Sequence, residues 1–109
     1  MFFLVELDHV KSGTPLTTEQ GRDFIEQVIL PTLARADKLI AEGKIVGGGA
    51  IAGRISLRFI VKADSLPEVD RVVSRLPIWP LAETRITPLV AFSERRASVQ
   101  ALLQDLAAA

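Results

Sequence analysis

The sequence predicts an α+β fold in which strands and helices follow the order strand, helix, strand, strand, helix, strand, and three observations predict it. Between positions 64 and 80 both ends of a helix are written out, from a capping serine to a pair of prolines. Around it, residues 2 to 10 and 54 to 62 alternate between two unlike faces at period two, the mark of half-buried strands. Residues 17 to 42 instead repeat their apolar positions at helical spacing.

In the first strand, Phe3, Val5 and Leu7 share one face while Phe2, Leu4, Glu6 and Asp8 share the other. Residues 11 to 16 contain Gly13 and Pro15 and form a loop, after which Thr17 with Gln20 makes a capping box. The long helix that follows places Ile25, Ile29, Leu33, Ala36 and Ile40 on one stripe, and Gly43 closes its last turn in a left-handed conformation. Pro31 is expected to kink this helix or divide it. Residues 45 to 63 hold no helical period and give two strands with a turn near Gly53. In the second of these, Ile55, Leu57, Phe59 and Val61 fall on one face, Arg54, Ser56, Arg58 and Lys62 on the other, and only Ile60 spoils the alternation.

The second helix begins at Ser65, which with Glu68 is a capping box, and Pro67 sits where its missing N–H does no harm. Val69, Val72, Val73 and Leu76 form the stripe that lies on the sheet. Pro77 and Pro80 bracket Ile78 and Trp79 and stop regular helix, leaving a tight apolar corner. Residues 84 to 92 read as the last strand, and residues 98 to 106, with Val99, Leu102, Leu103 and Leu106 in a stripe, as an extra C-terminal helix. This is the ferredoxin-like βαββαβ order with an antiparallel four-stranded sheet. Its final strand is an edge, which tolerates Pro88.

The 109 residues are expected to form a single domain, 1–109, that buries about two thirds of its unfolded surface. Thirteen basic and thirteen acidic side chains balance, so no general field draws the chain to nucleic acid or to anionic lipid. Without cysteine and with one histidine it can build neither a disulfide framework nor a thiolate or histidine metal site, and neither metal nor cofactor is expected. A reducing cytoplasm is the natural home. The apolar start Phe2-Phe3-Leu4-Val5 has no preceding basic region and is interrupted by Glu6 and Asp8, so it reads as neither signal peptide nor membrane span.

Helices on one face of a single sheet leave the other bare, and that face carries Phe2, Leu4 and Ile60 beside charged residues. Monomers seldom leave such a surface in water, so a homo-oligomer is expected, two copies covering each other's sheets around a partly polar cavity. The strongest chemical constellation is Glu6, Asp8, Ser56 and Arg58, on neighbouring strands and on that same face. Two readings of it stay open. Glu6 and Arg58 form a structural cross-strand pair, contributing under about 1 kcal/mol if exposed, or they form a site with a base and an anion stabiliser.

Other candidates carry less. The run Gly47-Gly48-Gly49-Ala50-Ile51-Ala52 fits a dinucleotide-binding pattern in letters only, because a helix precedes it and a strand follows. It reads as a flat strand that another backbone or a ligand can approach. His9 ends the first strand on the helix side, Trp79 reads as a core or subunit anchor with ligand contact as the alternative, and Arg95 with Arg96 reads as a solvated patch.

The Glu42-Gly43 helix end, the Ile51-Ala52-Gly53 turn, the helix from Ser65 and above all Leu76-Pro77-Ile78-Trp79-Pro80 resemble muconolactone isomerases over residues 42 to 90. The resemblance implies a dimeric α+β barrel that assembles into larger rings, and a cofactor-free isomerisation of a small lactone or anion of aromatic catabolism. Under it, Glu6 is the base and Arg58 holds the developing negative oxygen, with Asp8, Ser56, Arg54 and Trp79 as substrate-binding candidates. The sequence departs from that family at residues 47 to 50, where the isomerases carry bulky aromatic and basic groups, at acidic Glu6, and in its added helix. Weak or no activity on muconolactone itself is therefore expected. A non-catalytic small-molecule binder or assembly subunit of the same fold is the alternative.

Overall fold

In the computed structural model, which describes residues 1–11 and 13–109, strand β1 (Phe2–His9) runs through the middle of one antiparallel sheet. Ser12, within the predicted loop, lies outside the described residues. With β2 (Ile45–Ala50), β3 (Ser56–Lys62) and β4 (Ala82–Leu89), the strand order is β2-β3-β1-β4. The ferredoxin-like order is observed, β4 is an edge, and Pro88 sits opposite Phe3 on it. Phe3, Val5 and Leu7 of β1 and Phe59 and Val61 of β3 point into the core, where Leu39, Val69, Val73, Leu76 and Ile78 meet them.

The first helical region is α1 (Thr18–Phe24), a π-helical turn (Ile25–Ile29) and α2 (Leu30–Ala41). Its capping box is complete, Thr17 Oγ1 accepting from the Gln20 N–H and Gln20 Oε1 from the Thr17 N–H. The region is divided as expected, with Pro31 in the first turn of α2. The wide turn just ahead of it, in which the Leu30 N–H donates to the Ile25 carbonyl, absorbs the missing donor and the ring. At the far end Gly43, at φ 74°, closes a Schellman motif, with its N–H on the Ile40 carbonyl and the Lys44 N–H on the Leu39 carbonyl.

The face that this helix buries is not the expected one. Thr32 and Leu39 are buried and Val28 and Ala36 pack on the core, while Ile25, Leu33 and Ile40 remain 48%, 41% and 55% exposed. The stripe is turned by one residue because Thr32 has a bond to make. Its hydroxyl accepts the N–H of Ile78 at 3.1 Å, satisfying a buried donor in the proline corner. A polar residue is thereby drawn inward and a more apolar stripe left outside.

Helix α3 (Leu66–Ser74) follows its prediction, with Val69, Val73 and Leu76 essentially inaccessible. Its capping box is only half formed: Ser65 Oγ accepts from the Glu68 N–H, but the Glu68 carboxylate reaches past Ser65 to the Asp64 N–H at 2.8 Å. In the corner Ile78 fills the core, whereas Trp79 opens a single 3-10 turn, Trp79–Leu81, and is 39% exposed. The reading of Trp79 as a core anchor is corrected on that point. Ile55 likewise lies ahead of β3 and is 40% exposed, so it does not join the inward face of that strand.

The C-terminal helix starts earlier than predicted. The last strand ends at Leu89, and α4 (Phe92–Ala108) begins at the residue expected to end that strand. Val90 and Phe92 prolonged an apolar pattern that the edge no longer uses. All residues of α4 are exposed, Leu103 and Leu106 by about two thirds, and the molecule is drawn out to 68 Å along its longest axis against 32 and 24 Å. Arg95 and Arg96 lie within this helix rather than ahead of it.

Candidate functional site

Antiparallel pairing on both sides of β1 brings three rows of side chains onto the sheet face away from the helices. Glu6 is opposite Arg58 on β3 and Arg85 on β4, and Asp8 is opposite Ser56 and Glu83. The predicted constellation therefore converges, and β4 adds residues to it. Arg58 chooses between two carboxylates. Its Nη1 and Nη2 donate to Asp8 Oδ1 and Oδ2 at 3.0 and 3.2 Å, a two-pronged pair. Its Nε stands 3.6 Å from Glu6 Oε1, and Arg85 Nε 3.8 Å from Glu6 Oε2, both beyond direct hydrogen-bond length. Arg54 reaches Asp8 Oδ1 at 3.5 Å from its turn position.

The closest pair on this face is thus Asp8 with Arg58, not Glu6 with Arg58, and the difference matters chemically. Glu6 keeps a positive field on both sides and its oxygens remain open to a third party. A shallow cavity of about 490 Å³ lies over these groups, lined by Glu6, Asp8, Arg58, Glu83, Thr84 and Arg85. Ser56 is buried and hydrogen-bonds Asp8 from the strand end. Trp79 lines neither this cavity nor the one beside Arg54. Among the described residues no three histidine, cysteine, aspartate or glutamate side chains gather as a metal site.

Arg85, Glu83 and Thr84 were not singled out from the sequence, although the topology contained the signal: in the ferredoxin-like order β1 is flanked by both β3 and β4. An arginine and a glutamate two apart on the last strand belong on the same face as each other.

The hydrogen bond from Ser56, those from Arg58, and the charges of Arg58 and Arg54 hold the Asp8 carboxyl below the ordinary aspartate range, against a smaller opposing effect of burial. A pKa lowered by folding contributes stability above the unfolded-state value, and that contribution is lost as pH falls through the folded-state value. Acid unfolding below about pH 4 should accordingly be steeper for the parent than for Asp8→Asn. Denaturant titrations at neutral pH and at about pH 3 check this, and equal acid slopes would contradict it.

The family model for muconolactone delta-isomerase matches residues 1–95. The chain belongs to the muconolactone delta-isomerase family. Among solved structures, a muconolactone isomerase superposes with a TM-score of 0.67 at 17% identity, covering 84% of this chain and 90% of that one. A 5-chloro-2-hydroxyhydroquinone dehydrochlorinase from Burkholderia phenoliruptrix, solved with 2,5-dihydroxybenzoquinone, superposes at 0.62 and 20% identity, covering 86% and 98%. At those identities the structures establish the shared fold. No curated protein sequence matches the chain. The muconolactone delta-isomerase match ends within the first turn of α4, so most of that helix lies outside the matched residues. No helix is long and apolar enough to cross a membrane among the described residues.

Proposed function

We propose that this muconolactone delta-isomerase family member is a cofactor-free isomerase that moves a proton between carbons of a small lactone or related anion of aromatic catabolism. The observation that carries the reading is the open carboxylate of Glu6 between two guanidinium groups, with the fork of Arg58 occupied by Asp8. Lactone isomerisation needs a base for a carbon-bound proton and a positive field for the oxygen that becomes negative when the proton leaves. Glu6 takes the proton and returns it to a second carbon. Arg58, fixed by Asp8, supplies a charge that does not have to reorganise, and Arg85, 80% exposed in its side chain, is free to turn towards the substrate. Ser56 and Arg54 position the ligand through Asp8.

The chain works in this proposal as a cytoplasmic homo-oligomer. Phe2 is 38% exposed and Leu4 and Ile60 are half-buried on the same face, and a second copy laid over them closes the shallow cavity. Exclusion of water strengthens the field of the guanidinium groups on the developing anion. Membership of the family and the fold shared with a dehydrochlorinase that holds a dihydroxybenzoquinone support small oxygenated rings as ligands. Muconolactone itself is expected to be turned over weakly, because residues 47 to 50 carry no bulk to shape a pocket for it. The same observation favours a binding module of this fold as the second reading.

Arg58→Ala tests the site. Titration with muconolactone and related small lactones should show binding by the parent and its loss in the variant, while the melt reports a destabilisation of up to about 1 kcal/mol. An unchanged titration, or no binding by the parent across the panel, removes the site; binding without turnover selects the module.

A further inference from the structure

A second cavity, of about 730 Å³, opens where β1 leaves the sheet, and its wall has the opposite chemical character. His9, Lys11 and Arg54 line it with Gly53, Ile55 and Ser56, and no carboxylate is among these described lining residues, the nearest being Asp8 at 3.5 Å from Arg54. His9 is held in place by its N–H on the Ile55 carbonyl at 3.0 Å and by its ring against Phe24, with centroids 4.9 Å apart. Its Nδ1 is buried without a hydrogen-bond partner. Gly53, at φ 75°, makes the turn that presents Arg54, whose side chain is 61% exposed and spends one long contact of 3.5 Å on Asp8. Its remaining donors are available.

This basic end does not stand alone. A neighbouring cavity of about 540 Å³ shares His9, Lys11 and Ile55 with it and continues over Leu16, Phe24 and Leu81. The two form one region with a cationic head and an apolar body, on the side where α1 covers the end of β1. It meets the sheet face carrying Glu6 and Arg58 at Ser56 and at Arg54, whose guanidinium touches Asp8.

We propose that this region binds a small organic acid with a hydrocarbon body, its carboxylate received by Arg54, Lys11 and His9 and its apolar part lying against Phe24, Leu16 and Leu81. The planar fork of a guanidinium matches a carboxylate, and Arg54, whose only carboxylate contact among the described residues is the long one to Asp8, together with Lys11 favours an anion there. The apolar continuation selects an organic anion over an inorganic one, since burial of methylene groups adds affinity that phosphate cannot gain. The site shares Arg54 and Ser56 with the isomerase reading but not Glu6, Arg58 or Arg85, and binding of a saturated acid there requires no proton transfer.

Chemical-shift titrations with hexanoate, acetate, hexanamide and inorganic phosphate test it. Hexanoate should saturate with shifts at the amides of His9, Gly53, Arg54 and Ile55, bind at least about tenfold more tightly than acetate, and have no counterpart in hexanamide or phosphate. Arg54→Gln should weaken hexanoate about tenfold, and Leu16→Asn should reduce it towards acetate. Absence of saturable binding, equal binding of hexanamide or of phosphate, or undiminished binding by Arg54→Gln would overturn the proposal.

Discussion

Glu6→Gln is expected to cut kcat for any lactone that the parent isomerises by about two to four orders of magnitude, the usual worth of a positioned general base. The substitution changes little else. Glutamine has the shape of glutamate and keeps a carbonyl oxygen for the ligand, but it cannot take a proton at neutral pH. Arg58 stays in place because its short bonds go to Asp8 rather than to Glu6. Substrate affinity should therefore remain within a few-fold of the parent, so that kcat falls and KM does not rise with it, the pattern of an interaction made in the transition state. A variant that keeps a tenth or more of the parent's kcat would show that Glu6 is a bystander and that the cross-strand charges are structural.

Gly48→Ala should have the largest effect on stability among the three consecutive glycines of β2. Gly48 is at φ 123°, beside the register shift between Ile45 and Gly47, and a Cβ there would run into the Arg58 carbonyl oxygen and stand 2.5 Å from the Cα of Phe59. Both atoms belong to the backbone of β3, which cannot move aside without displacing Phe59 from the core and Arg58 from Asp8. Strain at a left-handed position and overpacking together cost about 2 to 5 kcal/mol. A Cβ on Gly47 or Gly49 meets nothing within 4 Å, and alanine at either should fall within about 0.5 kcal/mol of the parent. Urea unfolding of the three variants checks the contrast, and equal midpoints would contradict it.

These glycines mark how far the sequence could be read. The order of elements, the Thr17 cap, the Gly43 terminus and the inward faces of β1 and α3 were legible because each is a local signal, a cap, a positive φ or a strict period. That one glycine of three is obligatory was not legible, since the collision is with a residue ten or more positions away. The same limit explains α2. Two apolar stripes one residue apart run along it, and the choice between them is made by the bond between Thr32 and Ile78, which no local pattern announces. At the C-terminus the local signal misled: an alternating apolar run continued past Leu89, yet the chain turned into a helix.

For the candidate site, Glu6, Asp8, Ser56 and Arg58 were found because they share a strand face and the topology makes β1 and β3 neighbours. Their pairing was not, because Arg58 is opposite Glu6 in register but reaches diagonally to Asp8, a matter of side-chain length and angle. Arg85 was missed for want of applying the same register argument to β4. Of the two residues in the proline corner it is the smaller Ile78, not Trp79, that takes the buried place in the core.

The most direct test of proton transfer at Glu6 is solvent exchange. Small lactones, muconolactone among them, are incubated with the protein in deuterium oxide and followed by NMR at the carbon next to the carbonyl. A base that removes and returns a carbon-bound proton exchanges it for deuterium even where net isomerisation is slow. The parent should wash deuterium into at least one lactone of the panel at a rate proportional to protein concentration, and Glu6→Gln should not. Exchange that persists undiminished in Glu6→Gln, or none above the buffer rate with the parent across the panel, would contradict it.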